Sequence, residues 1–518
     1  MSRGSAYTIR VALTVALGGF LMGFDASVIS GVTGFIETQF ELSKLQLGWA
    51  VSSLTLTATL AMMVSGPLSD RYGRRPVLKV AAVLFAVSAV WSAFAPDFLS
   101  LVIARMLGGF GVGAALIIAP MYIAEIAPGH KRGRLVSFNQ LNIVVGISAA
   151  FFSNYLILGL SESAASWVTT LGIAESQWRW MLGVEAIPAV LYFLALAFVP
   201  ESPRWLAMQQ REDEALEVLD AVNGPVQAKA ELQNVYLAIE AEQDQHGVGL
   251  RALLHPSMKL VLTIGISVGV LQQITGINSV FFYAPMIFEQ SGIGTNAAFM
   301  QAVLVGLVNV GFTLAAIALI DRLGRRPLLG VGLTGITVCM LTLAWAFGSA
   351  SYQLPANAEL PDGIDRGAIA DVLGERFDSD VDFRNAVTAA IGIEQFTEHN
   401  SALVSTAIDA NSRLILAAIL GFVASFAISL GPVMWVLFSE LFPNRVRGIA
   451  ISFVGLINSA VAFLVTLVFP WQLENLGTST TFLIYGVFAA IGFVFVMRIL
   501  PETKGRSLEE LETVLVKA

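Results

Sequence analysis

Twelve stretches of this sequence are long and apolar enough to cross a lipid bilayer, and no other feature restricts the fold as strongly. A helix needs about 20 apolar residues to span the hydrocarbon core, where backbone polar groups must be satisfied internally. The composition agrees, because 56% of the residues are hydrophobic and only 13% are charged. We therefore predict an all-α membrane protein with twelve transmembrane helices near residues 9–31, 46–69, 77–95, 98–124, 135–159, 178–199, 258–290, 298–320, 328–349, 412–438, 447–469 and 479–500.

Basic residues in the short loops predict how these spans are oriented. Lysine and arginine are enriched in loops on the cytoplasmic side of a membrane. Here they follow the second, fourth, eighth and tenth apolar segments: Arg71, Arg74, Arg75, Lys79, Lys131, Arg132, Arg134, Arg322, Arg325, Arg326, Arg445 and Arg447. We therefore expect a multi-pass protein of the plasma or inner membrane with both chain termini in the cytoplasm.

Two polar segments interrupt the series of spans. Residues 201–256 include EDEALEVLD and KAELQNVYLAIEAEQ, whose apolar spacing is helical, so we expect a small cytoplasmic helical domain there. Residues 350–411 are rich in acidic side chains and follow the ninth span. A structureless loop of this length is uncommon. We therefore expect short helices that cap or flank the extracytoplasmic mouth, and GAIADVLGERF (367–377) has a helical pattern.

The two halves of the chain repeat each other in sequence. The motif at 70–76 returns at 321–327, Glu125 with Arg132 returns as Glu440 with Arg447, and the motif at 200–202 returns at 501–503. Three echoes in the same order indicate an internal duplication, which is common in transporter folds. We predict two pseudo-symmetric six-helix bundles, with the chain divided into residues 1–200, 201–256, 257–500 and a tail at 501–518.

One stretch, QQITGINSVFFYAP at 272–285, places amide side chains inside the seventh apolar segment. Gly276 weakens the helix between Gln273 and Asn278, and Pro285 removes a hydrogen bond from the helical ladder. Amides in hydrocarbon need partners, so these must face another helix or a wet cavity. On these residues alone, helix–helix hydrogen bonding and a site for a polar, uncharged substrate are equally open.

Taken together, the motifs resemble the signatures of the sugar porter family of the major facilitator superfamily. The matching pieces are DRYGRRP at 70–76, PMYIAEIAP at 120–128, PESPRWL at 200–206, QQITGIN at 272–278, DRLGRRP at 321–327, GPVMWVLFSELFP at 431–443 and PETKG at 501–505. The resemblance covers nearly the whole chain except 350–411. It implies the major facilitator fold, with a central monosaccharide site between the bundles and alternating access.

Charged residues within the apolar segments are candidates for proton coupling. Asp25 lies in the middle of the first segment, where a carboxylate is costly and needs a partner. We expect that partner to be Arg105 in the fourth segment, and the resemblance implies that proton-coupled members carry an aspartate at this position. Glu185 in the sixth segment resembles a second coupling carboxylate. The alternative is a purely structural Asp25–Arg105 ion pair.

The resemblance also implies the sugar-binding and gating residues. The binding set is Gln140, Gln272, Gln273, Asn278, Asn309, Gly431, Trp435 and Asn458, and Phe282 replaces a tyrosine often found in the family motif. Salt bridges at the cytoplasmic face would hold the outward-facing state and break in the inward transition. Their residues are Asp70, Arg74, Arg75, Glu125, Arg132, Glu201, Asp321, Arg325, Arg326, Glu440 and Arg447.

These observations lead to one functional hypothesis with named rivals. We expect a proton-coupled monosaccharide symporter, most simply a monomer, whose partners are the sugar, protons and the bilayer. The alternatives are a passive sugar facilitator with the same fold and a non-transporting sugar receptor. We expect no enzyme, cofactor, bound metal or nucleic-acid partner, because the sequence has no catalytic or ligand pattern around its four histidines and a net charge of −8.

Overall fold

A computed structural model describes residues 3–128, 131–243, 252–253, 255–361, 363–443, 446–504 and 510. Within these residues, twelve helical spans are long and apolar enough to cross a membrane, as predicted. Numbered in chain order as spans 1 to 12, they are Ala6–Gly31, Lys44–Tyr72, Arg74–Ala93, Phe98–Ile126, Arg132–Ser161, Gln177–Phe198, Pro256–Phe282, Thr295–Ile320, Arg325–Gly348, Ser412–Leu441, Arg447–Asn475 and Thr478–Ile499.

Spans 1, 6, 7 and 10 are built from more than one helical piece. Span 1 joins Arg3–Val28 to the 3-10 turn Ile29–Gly31, and span 6 joins Gln177–Gly183, Ala186–Ala195 and Leu196–Phe198. Span 7 joins Pro256–Met258, Lys259–Ile274 and Ile277–Phe282, and Ala284–Glu289 continues it. Span 10 joins Ser412–Ile428 and Leu430–Leu441. The helix of span 8 extends to Leu323, and short helices lie at Thr33–Gln39 and Ser166–Thr170.

The two halves of the chain pack side by side along spans 2 and 11 and along spans 5 and 8. Small residues allow this close approach. A Cβ atom at Gly48 would lie 2.0 Å from the carbonyl oxygen of Leu467 in span 11. Next to it, Trp49 and Phe463 meet edge to face with their ring centres 5.6 Å apart. The seam between the halves therefore combines close backbone contact at Gly48 with an aromatic contact beside it.

The two ends of the molecule differ, and we name them by what they carry. The charged-loop end holds the loops between spans 2 and 3 and between spans 8 and 9, and the insertion end holds residues 350–411. At the insertion end, the 3-10 turn Ile29–Gly31 of span 1 contacts the helices Ile277–Phe282 and Ala284–Glu289. Ile29 and Ile287 are fully buried in the same hydrophobic cluster. The halves therefore meet at this end in the conformation observed.

The polar segment after span 6 forms the two helices that the sequence predicts. They run over Glu212–Asn223 and Pro225–Gln243 and follow a short helix at Pro203–Met208. Val218 and Leu219 share a hydrophobic cluster with Val11 and Val15 of span 1. This helical segment therefore packs against the charged-loop end of the first half.

The insertion at 350–411, here called the cap, has its own small core. It contains strands Ser351–Gln353, Arg376–Phe377 and Ile408–Asp409 and helices Asp380–Ile391 and Ile393–Ala407. The first strand is central, pairing antiparallel through Tyr352 with both Phe377 and Ile408. The two helices match the expectation of short helices in this region. The sheet was not predicted, because strands of two or three residues leave no periodic pattern.

One prediction within the cap is wrong. The segment GAIADVLGERF is not a helix, because residues 366–374 form successive turns and Arg376–Phe377 is a strand. Its apolar side chains Ile369 and Val372 still enter the cap core. Gly374 ends the turns with a φ of +81°, and its N–H donates to the carbonyl of Leu354 at 2.7 Å. Pairing with the central strand thus replaces the last helical turn.

The cap is attached to the second half of the chain. It continues directly into spans 9 and 10, and Asp380 binds the start of span 12. One carboxylate oxygen of Asp380 accepts from the Thr478 N–H at 3.0 Å and from its hydroxyl at 2.9 Å. This N-terminal capping of span 12 by a residue of the cap fixes the cap to that half.

Candidate functional site

A buried ion pair lies inside the first half, between spans 1 and 4. Nη1 of Arg105 is 3.2 Å from Oδ1 of Asp25, and both side chains are 2% exposed. Nη2 of Arg105 also donates to the backbone carbonyl of Asp25 at 3.3 Å. The structure therefore joins the two residues that the sequence pairs. Paired charges at this depth avoid the cost of an isolated buried ion.

The ion pair is incompletely satisfied, and Glu185 lies nearby. Oδ2 of Asp25 and Nε of Arg105 are buried without a hydrogen-bond partner, and so is Oε1 of Glu185. Glu185 is 3% exposed and lies within electrostatic reach of both Asp25 and Arg105. It sits at the break in span 6, where Pro188 cannot donate to the carbonyl of Val184. The three groups form one buried charge cluster with free hydrogen-bonding positions.

Gly108 makes room for this cluster, and the sequence analysis missed its role. A Cβ atom at this position would lie 2.7 Å from Oδ2 of Asp25 and 2.6 Å from Oγ of Ser88. The only sequence signal was the glycine-rich stretch of span 4, which reads equally well as general helix packing. Gly108 faces the free oxygen of the Asp25 carboxylate.

Gly108→Ala is expected to lower the proton-driven sugar uptake that the sequence predicts, at equal protein level, because the added methyl displaces the Asp25 carboxylate. Overpacking of this size costs about 1–3 kcal/mol. Uptake into proteoliposomes under an inward pH gradient is the measurement. Gly66→Ala in span 2 is the matched control, since a Cβ atom there meets nothing within 4 Å. Equal uptake by both variants would show that Asp25 does not need this space.

The second half contains a buried network of amides. Nε2 of Gln273 donates to Oε1 of Gln272 at 3.1 Å and to Oδ1 of Asn458 at 3.2 Å. Nδ2 of Asn278 donates to Oε1 of Gln273 at 2.9 Å. Nδ2 of Asn458 donates to Oε1 of Gln272 at 2.9 Å and to the carbonyl of Gly269 at 2.8 Å. Four of the eight residues in the predicted binding set are thus brought together.

Breaks in spans 7 and 10 position this network. Gly276 adopts a φ of +87° between two helices of span 7, and a Cβ atom there would lie 2.5 Å from the ring of Tyr485. Glycine is therefore required on both conformational and steric grounds. Span 10 breaks at Ser429, beside Pro432, and Nε2 of Gln272 donates to the Leu430 carbonyl at 3.1 Å. The interruptions predicted at Gly276 and before Pro285 are confirmed.

The other predicted binding residues lie outside this hydrogen-bonded network. Gln140 is half-buried on span 5, and Asn309 is buried on span 8. Gly431 follows the break in span 10, one residue after the Leu430 carbonyl that Gln272 contacts. Trp435 is 43% exposed and packs edge to face on Phe438, with ring centres 5.9 Å apart. An exposed ring here leaves an apolar face available, and its role in binding stays a prediction.

At the charged-loop end, the first half contains a cluster centred on Arg74. Its guanidinium donates to both oxygens of Glu125, at 3.0 and 2.9 Å, and pairs with Asp70 at 2.9 Å. Glu201 accepts from the backbone N–H groups of Arg74 and Arg75, at 3.0 and 3.2 Å. Burial raises the pKa of Glu201, and these backbone hydrogen bonds oppose that shift. The cluster links three loops of one half.

The second half repeats the cluster almost atom for atom. Arg325 donates to both oxygens of Glu440, at 3.1 and 2.7 Å. Glu502 accepts from the N–H groups of Arg325 and Arg326, both at 3.1 Å. The hydroxyl of Ser202 in the first half donates to Glu125 at 2.5 Å, and the hydroxyl of Thr503 in the second half donates to Glu440 at 2.7 Å. The sequence repeats contain Glu502, Ser202 and Thr503, but the predicted gating set does not.

Several predicted gating residues have other contacts. Arg75 donates to the backbone carbonyls of Leu196 and Ala197, and Arg326 donates to that of Met497. Arg447 donates to the carbonyl of Phe442, and Arg132 is exposed. The side chain of Asp321 lies outside the described residues. The ion pairs seen here join residues of the same half and are formed while the insertion end is closed, so breakage during gating stays a prediction.

Among the described residues, no group of three or more histidine, cysteine, aspartate or glutamate side chains could hold a metal ion. The buried polar groups described above offer two kinds of chemistry. A buried carboxylate pair with one arginine can exchange a proton, and a set of amides can exchange hydrogen bonds with hydroxyl groups. Spans, breaks and buried polar sites together define a polytopic helical membrane protein of the transporter type.

Comparison with known proteins agrees with this class. The family model described as "Sugar (and other) transporter" matches residues 11–370 and 386–515, and the chain belongs to that family. The arabinose-proton symporter of Bacillus subtilis (strain 168) is 35% identical over 520 residues, covering 100% of this chain and 97% of the relative. The D-xylose-proton symporter of Escherichia coli (strain K12) is 33% identical, covering 98% of this chain and 96% of the relative.

Solved structures give the same result for the fold. The E. coli xylose transporter in an inward-open conformation has a TM-score of 0.75 at 32% identity, covering 98% of this chain and 100% of that one. The same transporter bound to 6-bromo-6-deoxy-D-glucose has a TM-score of 0.70 at 32% identity, covering 98% and 99%. The chain thus has the major facilitator fold of two six-helix bundles, as predicted.

Proposed function

We propose that this chain is a proton-coupled symporter that imports a neutral monosaccharide, a hexose or a pentose, by alternating access. The observation that carries the proposal is that one chain holds a buried Asp25–Arg105 pair beside Glu185 and a separate buried amide network. Amides both donate to and accept from sugar hydroxyls. Relatives named as proton symporters of arabinose and xylose support the same function.

Proton coupling follows from the unfilled positions of the charge cluster. A proton taken up on Oδ2 of Asp25 neutralises the carboxylate and weakens its attraction for Arg105. Electrostatic attraction then favours a movement of the Arg105 guanidinium, whose Nε has no hydrogen-bond partner, towards Glu185. This exchange of partners changes the packing between spans 1, 4 and 6. The proton gradient drives the cycle, and a membrane potential adds roughly 2.3 kcal/mol per charge per 100 mV.

The sugar site lies at the amides of span 7 and Asn458, completed by Gln140 and Asn309, with Gly431 at the break and Trp435 as an aromatic face. Hydroxyls replace some of the amide–amide hydrogen bonds when a sugar binds. The gating residues are those of the two loop clusters, Glu502 included. Each cluster holds the loops of its half in register while the halves rock against each other.

Orientation and organisation complete the proposal. The protein lies in the plasma or inner membrane as a monomer, with the charged-loop end and both termini in the cytoplasm. Residues 1–200 and 257–500 form the two bundles, 201–256 the intracellular helical domain, and 501–518 a cytoplasmic tail. The cap then faces the extracytoplasmic side. The chain acts as a carrier and not as an enzyme.

The test is uptake of radiolabelled glucose, galactose, xylose and fructose into proteoliposomes, with and without a pH gradient that is acid on the side of entry. We expect one or two of these sugars to accumulate only with the gradient. Equilibration that ignores the gradient would make the protein a passive facilitator instead. Saturable sugar binding without any flux would make it a receptor.

A further inference from the structure

A cavity of about 490 Å³ lies at the insertion end, and we call it the vestibule. Its floor comes from Ser30 and Gly31 of span 1 and from Pro285 and Met286 beyond span 7. Its roof is the cap, through the helices Asp380–Ile391 and Ile393–Ala407. Residues of both halves and of the cap therefore line it. Its volume falls within the range of roughly 300–1,000 Å³ that is typical of small-molecule sites.

The vestibule is separate from the amide network. The chain between Asn278 of the network and Pro285 of the cavity lining includes Phe281, Phe282 and Tyr283, which are all buried. The hydroxyl of Tyr283 is held by the Thr466 carbonyl at 3.1 Å, and its ring packs 5.2 Å from that of Phe469. These aromatic side chains lie on the chain between the cavity lining and the predicted sugar site, and we call them the aromatic layer.

The walls of the vestibule combine aromatic rings with unsatisfied polar atoms. Trp178, Tyr352, Phe383 and Phe396 contribute apolar surface from four different elements. On the cap, Oδ1 of Asn400 is buried and has no hydrogen-bond partner. On the opposite wall, Oε1 of Gln177 at the start of span 6 is in the same condition. A buried acceptor without a donor is unfavourable, and a ligand hydroxyl would satisfy it.

The charge of the lining limits the class of ligand. The acidic side chains are Glu37, Glu175, Glu289, Asp380 and Glu474, and the basic ones are Lys44 and Arg384. Glu37 is paired with Lys44, and Asp380 is held by Thr478. An acidic lining repels phosphorylated or carboxylated sugars. Among the described residues of this lining, no group of three or more histidine, cysteine, aspartate or glutamate side chains could hold a metal ion. A matching ligand has hydrogen-bond donors for Oδ1 of Asn400 and Oε1 of Gln177, and an apolar face that packs on the aromatic rings.

We propose that the vestibule is a second binding site for a neutral monosaccharide, which it holds above the aromatic layer while the halves are closed at the insertion end. This inference rests on the proposed function, because the ligand is the sugar that the central site takes. Hydroxyls donate to Asn400 and Gln177, and the C–H face of the sugar ring lies against the aromatic side chains. Residues 371–385 of the roof fall outside the family match, whereas Gln177 and Asn400 fall inside it.

Equilibrium dialysis of the purified full-length protein with the radiolabelled sugar that it transports tests the proposal. We expect two sugars per wild-type chain. At a sugar concentration that just saturates the wild type, Gln273→Leu, whose central site is weakened at least tenfold, should bind one, and Asn400→Trp, which fills the vestibule, should also bind one. Thr406→Trp is the control, because Thr406 is exposed on the same helix and does not line the cavity. It is expected to bind two.

Other stoichiometries overturn the proposal in distinguishable ways. One sugar per wild-type chain, lost entirely in Gln273→Leu and retained in Asn400→Trp, would leave transport intact and remove the vestibular site. No saturable binding or uptake in the wild type would remove the proposed function together with it. If Asn400→Trp fails to fold, Gln177→Leu on the opposite wall serves instead, and an unchanged value of two in that variant would contradict the site.

Discussion

Asp25→Asn is expected to abolish proton-driven accumulation of sugar while sugar exchange across the membrane continues. Asparagine has the shape of aspartate and still offers Oδ1 to Nη1 of Arg105, which lies 3.2 Å away in the wild type. It cannot take up or release a proton. The central amide network is in the other half of the chain and is untouched. The variant should therefore bind and exchange sugar without coupling it to protons.

The size of the effect follows from the driving force. One pH unit across the membrane corresponds to about 1.4 kcal/mol per proton, which is a limiting accumulation ratio of about tenfold. In wild-type proteoliposomes under this gradient, the internal sugar concentration should rise towards that ratio. In Asp25→Asn it should stop at equality with the outside. Counterflow, in which labelled sugar enters against unlabelled sugar inside, should proceed at a comparable rate in both.

Asp220→Asn is the control for the loss of one carboxylate, since Asp220 is exposed in the helical segment after span 6. It should accumulate sugar like the wild type. Arg105→Met tests the pair from the other side. It leaves a buried carboxylate uncompensated, which costs about 3–5 kcal/mol and should lower the thermal midpoint in detergent. Accumulation that persists in Asp25→Asn would reduce the pair to a structural role.

Gln273→Leu is expected to raise the KM for sugar by at least tenfold, with counterflow lost at low sugar concentration. Leucine keeps much of the side-chain volume but removes three hydrogen bonds, to Gln272, Asn278 and Asn458. Each missing amide contact with a hydroxyl costs about 1–3 kcal/mol, or roughly 5- to 150-fold in affinity. Concentration-dependent exchange in proteoliposomes measures this directly, without any proton gradient.

Asn475→Leu is the matched control, because it removes an amide that lies exposed at the end of span 11 and binds only the Trp471 carbonyl among the described contacts. Its KM should equal that of the wild type. If Gln273→Leu kept the wild-type KM and lost only stability, the amides would serve helix–helix hydrogen bonding, which is the alternative left open by the sequence. A variant with normal stability and a raised KM assigns them to the sugar.

The sequence predicted most of what depends on long-range repetition. The spans followed from apolar length, and the Arg74–Glu125 and Arg325–Glu440 clusters are related by the same repeats that relate their motifs. The partner of Asp25 could be named because few charges occur inside the apolar segments. In each case one strong physical constraint, the cost of placing polar groups in hydrocarbon, left few arrangements open.

What the sequence did not predict depends on short contacts. Gly108 matters because of a distance of 2.7 Å to a carboxylate in another span, and no pattern along the chain encodes that distance. The strands of the cap are two or three residues long and form only because Tyr352 has partners on both sides. Asn309 and Gln140 share the residue type of the amide network, yet they lie on spans that the network does not reach.

The attachment of the cap has a consequence for how this protein tolerates change. The cap continues from span 9, leads into span 10 and is held to span 12 by the hydrogen bond between Asp380 and Thr478. It is therefore attached to the second half and should move with it. In the proposed cycle the cap moves with the second half, so its contacts with the first half across the vestibule change, whereas the amide network lies within the second half and moves with the cap. The length and the surface residues of the cap can therefore change without a change in the spans. Replacing the cap by another small fold should change the vestibule and what binds there, and should leave the two helical bundles unchanged.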